Sequence, residues 1–294
     1  IEVIDTPKLN NIFILPYNFL LILFLTLKSF LLIKKKRIEK IFSTGGYMSI
    51  PLILAARFLN IQLYLIEPNQ ILGRANRYFL RSCKKIFCYS SDLKNFPDQL
   101  KYKIVVINPL VKKSIYELNL PKKNNDKFNI LIVGGSQGAN IFDKNLKNFL
   151  AEISKKKPIK VIHQTNKKNI TYLNEFYKAN NIENKIFCFE EDFINIIQQT
   201  DLCITRAGAS TLAELSLLNI PFIAIPLPTA KDNHQLENAL FYKNKECCWI
   251  IEQDHFESDI GEVLEEILDN KSIYMKKKEN LKKLNYQNTW INVN

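Results

Sequence analysis

The segment ILIVGGSQGANIF, residues 130–142, reads as a strand that runs into Gly134, Gly135, Ser136, Gln137 and Gly138 and then into a helix. Glycines there let backbone N–H groups at a helix N-terminus approach an anion, and the helix dipole favours negative charge. Ser136 adds a hydroxyl donor. The spacing is not a GxGxxG dinucleotide fingerprint, and no Lys-Ser/Thr pair follows, which argues against an ATPase. A second strand–loop–helix unit, TRAGASTLAELSLLNIPFIAIP (205–226), carries different chemistry. Arg206 stands at a strand end, Gly208 opens the turn, Ser210 and Thr211 can cap the helix, and Glu214 lies in its first turns. A carboxylate there can accept both hydroxyls of a ribose. The competing assignment is a capping box in which Glu214 serves only its own helix. PLPTAKDNHQLENA (226–239) adds His234, Gln235 and Asn238 on a polar loop entering a helix. Earlier in the chain, STGGYMSIP (43–51) is another glycine turn after a strand. IEPNQILGRANR (66–77) follows the next strand, so Glu67 and Asn69 are expected to project from its end toward a groove.

These residues need a scaffold, and from residue 40 onward short apolar runs alternate with helical patterns. Strands are expected at 39–44, 61–67, 84–90 and 103–108 and, after the polar joint LPKKNNDK (120–127), at 128–134, 158–164, 184–190, 201–205, 221–226 and 247–252. Helices are expected at 140–153, 170–180, 210–219 and 233–244. Near-continuous Ile/Val/Leu strands separated by helices predict parallel sheets covered on both faces, the α/β class. Two such units give tandem Rossmann-like domains, 1–118 and 119–294, with the last helix returning to the first domain. A cleft between them would meet the carboxyl ends of both sheets, where open α/β sheets bind ligands.

The 294 residues carry a net charge of +12 and are 47% hydrophobic, which excludes a disordered chain. The charge is uneven: residues 1–112 hold 17 basic and 6 acidic residues, whereas 113–294 hold 24 and 23. A basic first part points to an anionic partner. Nucleic acid is a poor choice, because the basic residues sit beside a long apolar run and no binding module is present. That run, IFILPYNFLLILFLTLKSFLLI (12–33), contains only Lys28 as a charge and is followed at once by KKKR. As a helix it could reach about 33 Å, but Pro16 and Asn18 are expected to break its start and leave about 22 Å. A buried helix, a bilayer span and an interfacial helix with a basic collar are the competing assignments, and the collar favours the interface. Six cysteines form no CxxC pair and lie in apolar runs, as free thiols of a reducing compartment would.

TGGYMSIP, IEPNQILGRANR, VGGSQGAN, RAGASTLAE and PTAKDNHQLENA occur in this order along the chain. Together they resemble the MurG family of bacterial peptidoglycan glycosyltransferases, within glycosyltransferase family 28, over about residues 1 to 290. The resemblance implies a GT-B fold whose first domain is incomplete at its N-terminus, inversion at the anomeric centre, no bound metal and no cofactor. It implies transfer of N-acetylglucosamine from UDP-GlcNAc to the MurNAc C4 hydroxyl of an undecaprenyl-linked acceptor, lipid I, giving lipid II. It also implies a peripheral enzyme on the cytoplasmic face of the bacterial inner membrane. The anionic membrane surface would be met by Phe19, Leu23, Phe24, Leu27, Phe30, Lys34, Lys35, Lys36 and Arg37.

Carried over position by position, Gly135, Ser136 and Gln137 would meet the donor diphosphate. Arg206, Ala209, Ser210, Thr211 and Leu212 would bind the nucleotide, with Glu214 on the ribose. Glu190, in FEED, stands where the family's backbone contacts uracil. Gln235 would hold the GlcNAc hydroxyls beside His234, and Asn69 would face the reacting sugars. The departures are informative. The family opens on a GGTGGH loop whose His is a favoured base, and this chain begins after its place; the base is therefore unassigned, with Glu67 one candidate. Ile50 replaces a glycine of GGYxSGP, Ile66 and Pro68 alter HEQN, and NPxR becomes NPLVK, with Val111 in the arginine's place and Lys112 one position late. Two rivals stay open: a GT-B transferase for another lipid acceptor, and a non-catalytic membrane-bound binder of UDP-sugar.

Overall fold

A computed structural model describes residues 15–117, 126–134, 140–190 and 193–289. The chain divides into two compact units, Ile1–Asn108 and Pro109–Asn294.

The first unit runs α1 (Leu15–Lys36), β1 (Lys40–Ser43), α2 (Ile50–Phe58), β2 (Gln62–Glu67), α3 (Arg74–Phe79), β3 (Lys85–Cys88) and β4 (Ile104–Val106). All four strands are parallel, in the order β1-β2-β3-β4. Right-handed crossovers between strands laid down in sequence order put every connecting helix on one face. That face is the core: Ile41, Leu63, Leu65, Ile86 and Cys88 pack with Ile33, Ile53, Leu72, Phe79 and Leu80. The expectation of helices on both faces therefore fails for this sheet among the described residues. Its other face carries a stacked aromatic ladder of Phe42, Tyr64 and Phe87, with ring centroids 4.9 and 6.2 Å apart, and Phe42 is exposed.

The apolar run forms one helix of 22 residues, not a shortened one. Pro16 is its second described residue, where a missing N–H breaks no helical hydrogen bond, so it does not stop the helix. Asn18, Leu25, Ser29 and Ile33 line a buried stripe. Thr26 and Ser29 are tolerated there because each hydroxyl donates to the carbonyl four residues back, at 2.7 and 2.8 Å. Opposite them Tyr17, Leu20, Phe24, Leu27 and Leu31 form an exposed stripe, with Phe19 and Leu23 beside it. The helix ends in a Schellman motif. Arg37, at φ 50°, donates its N–H to the Lys34 carbonyl, and Ile38 donates to that of Ile33. Lys34, Lys35 and Lys36 occupy the last turn, where cations complement the helix dipole.

The second unit contains α4 (Lys113–Tyr116), β5 (Phe128–Val133), α5 (Lys147–Lys156), β6 (Ile159–Gln164), α6 (Ile170–Ala179), β7 (Glu183–Phe187) and α7 (Phe193–Gln199). It continues through β8 (Leu202–Thr205), α8 (Ala209–Leu217), β9 (Phe222–Ala224), α9 (His234–Lys243), β10 (Cys248–Ile250), α10 (Phe256–Asp269) and α11 (Lys271–Lys283). Its six parallel strands run β10-β9-β8-β5-β6-β7. Strand order reverses at β5, so the loops after β5 and β8 flank the switch point where doubly wound sheets bind their ligands. Ile130, Ile132, Leu202, Ile204 and Ile223 are fully buried between the helix layers. Each of the ten expected strands is present, most of them shorter than the apolar run that announced it. The last helix, α11, packs within this unit: the Tyr274 hydroxyl donates to the Asp201 carbonyl at 3.0 Å, and its ring meets Phe128 edge-on. All six cysteines are free, five of them buried.

Candidate functional site

Most of the described candidate residues of the second unit lie beyond the carboxyl ends of β8 and β9. The β8 strand delivers Arg206, and Gly208 turns the chain into α8. Gly208 is itself the N-cap, and no side chain caps the helix. Ser210 and Thr211 are thus its second and third residues, which corrects their expected capping role. The capping-box assignment for Glu214 falls with it, and the first N–H groups of α8 are left for other acceptors. Glu214 is half-buried and makes no hydrogen bond or ion pair among the described residues. Burial raises its pKa above the ordinary 4.5, and Lys112 pulls the other way.

Arg206 is spent differently from expectation. Its Nη1 donates to the Ile225 carbonyl at 3.1 Å and its Nη2 to Gln253 Oε1 at 2.6 Å, while the guanidinium lies 5.4 Å over the Phe142 ring. It ties the loops after β8, β9 and β10 together. Asn238, buried on α9, donates to the Ala207 carbonyl and holds the same turn. Gln235 accepts the Leu227 N–H at 3.0 Å, which orients its amide. Beside it, His234 directs Nδ1 at the Lys231 carbonyl at 2.7 Å. The turn into α9 uses two consecutive left-handed residues, Asp232 and Asn233, at φ 56° and 54°. Ala209 and Leu212 complete the first turn of α8, with Leu212 buried. Glu190 stands apart beyond β7, three strands from β8, and pairs with Lys185. Gly135, Ser136 and Gln137 lie outside the described residues.

In the first unit, Glu67 ends β2 and is buried, and it does not project as expected. Its Oε1 accepts from the Asn69 N–H at 3.2 Å and from Asn69 Nδ2 at 2.9 Å. Its Oε2 accepts from the Gly73 N–H at 2.8 Å and Asn76 Nδ2 at 2.9 Å. One carboxylate thereby folds the whole 67–76 loop and presents Asn69. Asn76 Oδ1 is buried without a hydrogen-bond partner and faces Gly45, the first glycine of the other loop. Gly45 has φ +78°, and a Cβ there would stand 2.7 Å from Asn76 Oδ1. Gly45→Ala combines left-handed strain with that collision and is expected to cost about 2 kcal/mol. Thermal unfolding should show it as a drop of several degrees.

Asn76, Gln253 and Phe142 were not recognised from sequence. Asn76 lies inside the GRANR segment, but its role appears only when that helix is laid beside Glu67. Gln253 and Phe142 act on Arg206 from 47 and 64 residues away in the chain, a distance no local pattern spans. Among the described residues no group of three or more His, Cys, Asp or Glu is placed to hold a metal ion. A cavity of about 920 Å³ opens at the opposite, amino edge of the second sheet, beside Phe128, Lys157 and Tyr274, and no candidate site residue lines it.

Two units built on parallel sheets, the second doubly wound with motif loops at its switch point, have the architecture of a GT-B glycosyltransferase. The comparisons carry this further. Residues 129–288 match the glycosyltransferase family 28 C-terminal domain and residues 1–88 the corresponding N-terminal domain. The chain belongs to glycosyltransferase family 28. A Pelagibacter ubique protein named UDP-N-acetylglucosamine–N-acetylmuramyl-(pentapeptide) pyrophosphoryl-undecaprenol N-acetylglucosamine transferase is 48% identical over 98% of this chain and 81% of its own. A Rickettsia bellii protein of the same name is 34% identical over 96% of this chain and 81% of its own. The crystal structure of Acinetobacter baumannii MurG matches with a TM-score of 0.77 and 25% identity, covering all of this chain and 82% of that one.

Proposed function

We propose that this chain transfers N-acetylglucosamine from UDP-GlcNAc to the MurNAc C4 hydroxyl of lipid I, giving lipid II. The observation that carries the donor half is Glu214, an unpartnered, half-buried carboxylate on the helix that leaves the switch point. Its oxygens accept the two ribose hydroxyls, and the uncapped N–H groups of α8 lie beside them. Gln235, with its carbonyl oxygen held by Leu227, has its amide N–H groups to give to the sugar hydroxyls. The glycine segment after β5 takes the diphosphate, where donors aimed at the leaving group stabilise the charge that develops on it. In the reaction, the acceptor C4 oxygen bonds to C1 of the sugar on the face opposite the diphosphate, and its hydroxyl proton is released to solvent. The C1–O bond to UDP breaks with its electron pair, and the configuration inverts. Glu67 takes no proton in this scheme, because its lone pairs already serve four donors; it holds Asn69 toward the acceptor.

Isothermal titration tests the donor half. UDP-GlcNAc should bind one site per chain and be displaced by UDP. Equal affinity for a sugar nucleotide with another base would contradict the uridine reading.

The acceptor is a lipid, and α1 supplies a surface for its membrane. Tyr17, Leu20, Phe24, Leu27 and Leu31 present an apolar stripe to solvent, and Lys28 and the Lys34–Arg37 collar are exposed beside it. By length and composition this helix could cross a bilayer. Its opposite face, however, is part of the first unit's core, and a span would strip Ile33 and Ser29 from their packing. An interfacial helix keeps both faces satisfied. Phe30, expected to dock, packs partly inward with Lys34 over its ring, so Leu20 and Leu31 replace it at the surface. The chain should sediment with vesicles containing anionic lipid, and less so at high salt. A Leu20→Ser/Phe24→Ser/Leu27→Ser variant should lose most of that binding, and failure of the unaltered chain to associate would rule out docking at this face.

A further inference from the structure

The loops after β5 and β6 are joined by a buried polar cluster that the donor contacts above do not use. Just after the glycine segment, the helix opens into a wide π-turn, Phe142–Leu146. Such turns are rare and concentrate at functional places. Asp143 lies in that turn and is buried. One carboxylate oxygen accepts from Thr165 Oγ1 and Asn169 Nδ2, both at 2.7 Å. The other stands 3.1 Å from His163 Nε2, an ion-pair contact that is off the line of a good hydrogen bond. The far ring nitrogen, Nδ1, is 3.0 Å from the Tyr177 hydroxyl, and His163 and Tyr177 are both fully buried. If Tyr177 donates to Nδ1, the ring proton faces Asp143, and every neighbour of the carboxylate is a donor. Burial opposes the charge on Asp143, yet these contacts outweigh it and hold its pKa below the ordinary value.

The preceding residue reaches the other way. Phe142 lies under the Arg206 guanidinium, which in turn grips the carbonyls after β9 and Gln253. Since β5 runs between β6 and β8, consecutive residues of one turn clasp the loops on both sides of the switch point. A buried carboxylate is costly unless it is fully bonded, and a leucine would fill the same space without that cost. The bonding therefore has a geometric use.

We propose that Asp143 is a positioning residue for the donor diphosphate, resting on the donor reading above. Its bonds to Thr165 and Asn169 fix the first described helical residues, Asn140 and Ile141, against the loop after β6, and so hold the end of the helix that faces the phosphates. The experiment compares Asp143→Asn and Thr165→Val with the unaltered chain. Both should raise the KM for UDP-GlcNAc, Asp143→Asn about tenfold, and weaken UDP binding in calorimetry. The KM for lipid I should stay within about twofold, and Thr165→Ser should restore the donor KM. A fall in melting temperature with unchanged donor KM, or equal rises in both KM values, would overturn the inference. Should Asp143→Asn fail to fold, the Thr165 pair decides by the same readouts. If the unaltered chain binds no UDP-GlcNAc, the donor reading fails and takes this inference with it. Tight donor binding that neither variant weakens defeats the inference alone.

Discussion

Glu214→Ala is expected to lower kcat/KM for UDP-GlcNAc by about 100-fold. Hydrogen bonds to a charged group contribute about 1.5–3 kcal/mol each, and two ribose hydroxyls on one half-buried carboxylate bring the loss to about 3 kcal/mol. The effect should lie mainly in donor KM and leave the lipid acceptor's KM unchanged. Glu214→Gln keeps one acceptor oxygen and should fall between the two. The pH dependence gives a sharper signature. Burial holds the free chain's Glu214 pKa above 4.5, and the hydroxyls bind its ionised form. Donor affinity should therefore be full above that raised pKa and fall tenfold per unit as pH drops below it. Stability of the unliganded chain runs the opposite way. A carboxyl whose pKa rises on folding favours the folded state when protonated, so this contribution is lost as pH rises through the folded pKa. Glu214→Gln should flatten both profiles. A donor affinity that falls equally with pH in the variant would remove Glu214 from the ribose.

Glu67→Ala should destabilise the first unit by about 4 kcal/mol, measured by urea unfolding. The carboxylate accepts from Asn69 N and Nδ2, Gly73 N and Asn76 Nδ2, and truncation leaves these donors short of partners at about 1–3 kcal/mol each before water relieves some of them. Glu67→Gln should also be costly, because its amide N–H₂ would confront a donor. This separates the two roles open to Glu67. A general base replaced by its amide loses turnover with stability intact. A brace loses stability and turnover together. Gly73 belongs to the same device, since a Cβ there would stand 2.9 Å from Glu67 Oε2.

The scaffold was largely legible because its strands are written as apolar runs, and the central strands of the second sheet are buried along almost their whole length. FNILIV, LCIT and FIA could be placed within a few residues, and glycine turns follow the first two. α10 was missed although Phe256, Ile260, Leu264 and Ile267 repeat at helical spacing, because its many acids masked that stripe. Side-chain roles were harder. Arg206 and Glu67 are charged residues at strand ends, which is where ligand contacts are expected, and both turn inward. The partners that draw them in, Phe142, Gln253 and Asn76, sit on other elements and are chosen by packing. The place of Glu214 on α8 was legible because it depends on helical periodicity alone. The open face of the first sheet was also hidden, since Phe42, Tyr64 and Phe87 look like core until the strand order is known.

The most direct test incubates the chain with UDP-GlcNAc and a lipid I analogue and follows both products by mass spectrometry. The acceptor should gain one N-acetylhexosamine, joined at C4 with inverted configuration, and one UDP should be released for each transfer. Donor that binds without transfer, or that is converted in the absence of any acceptor, would contradict it.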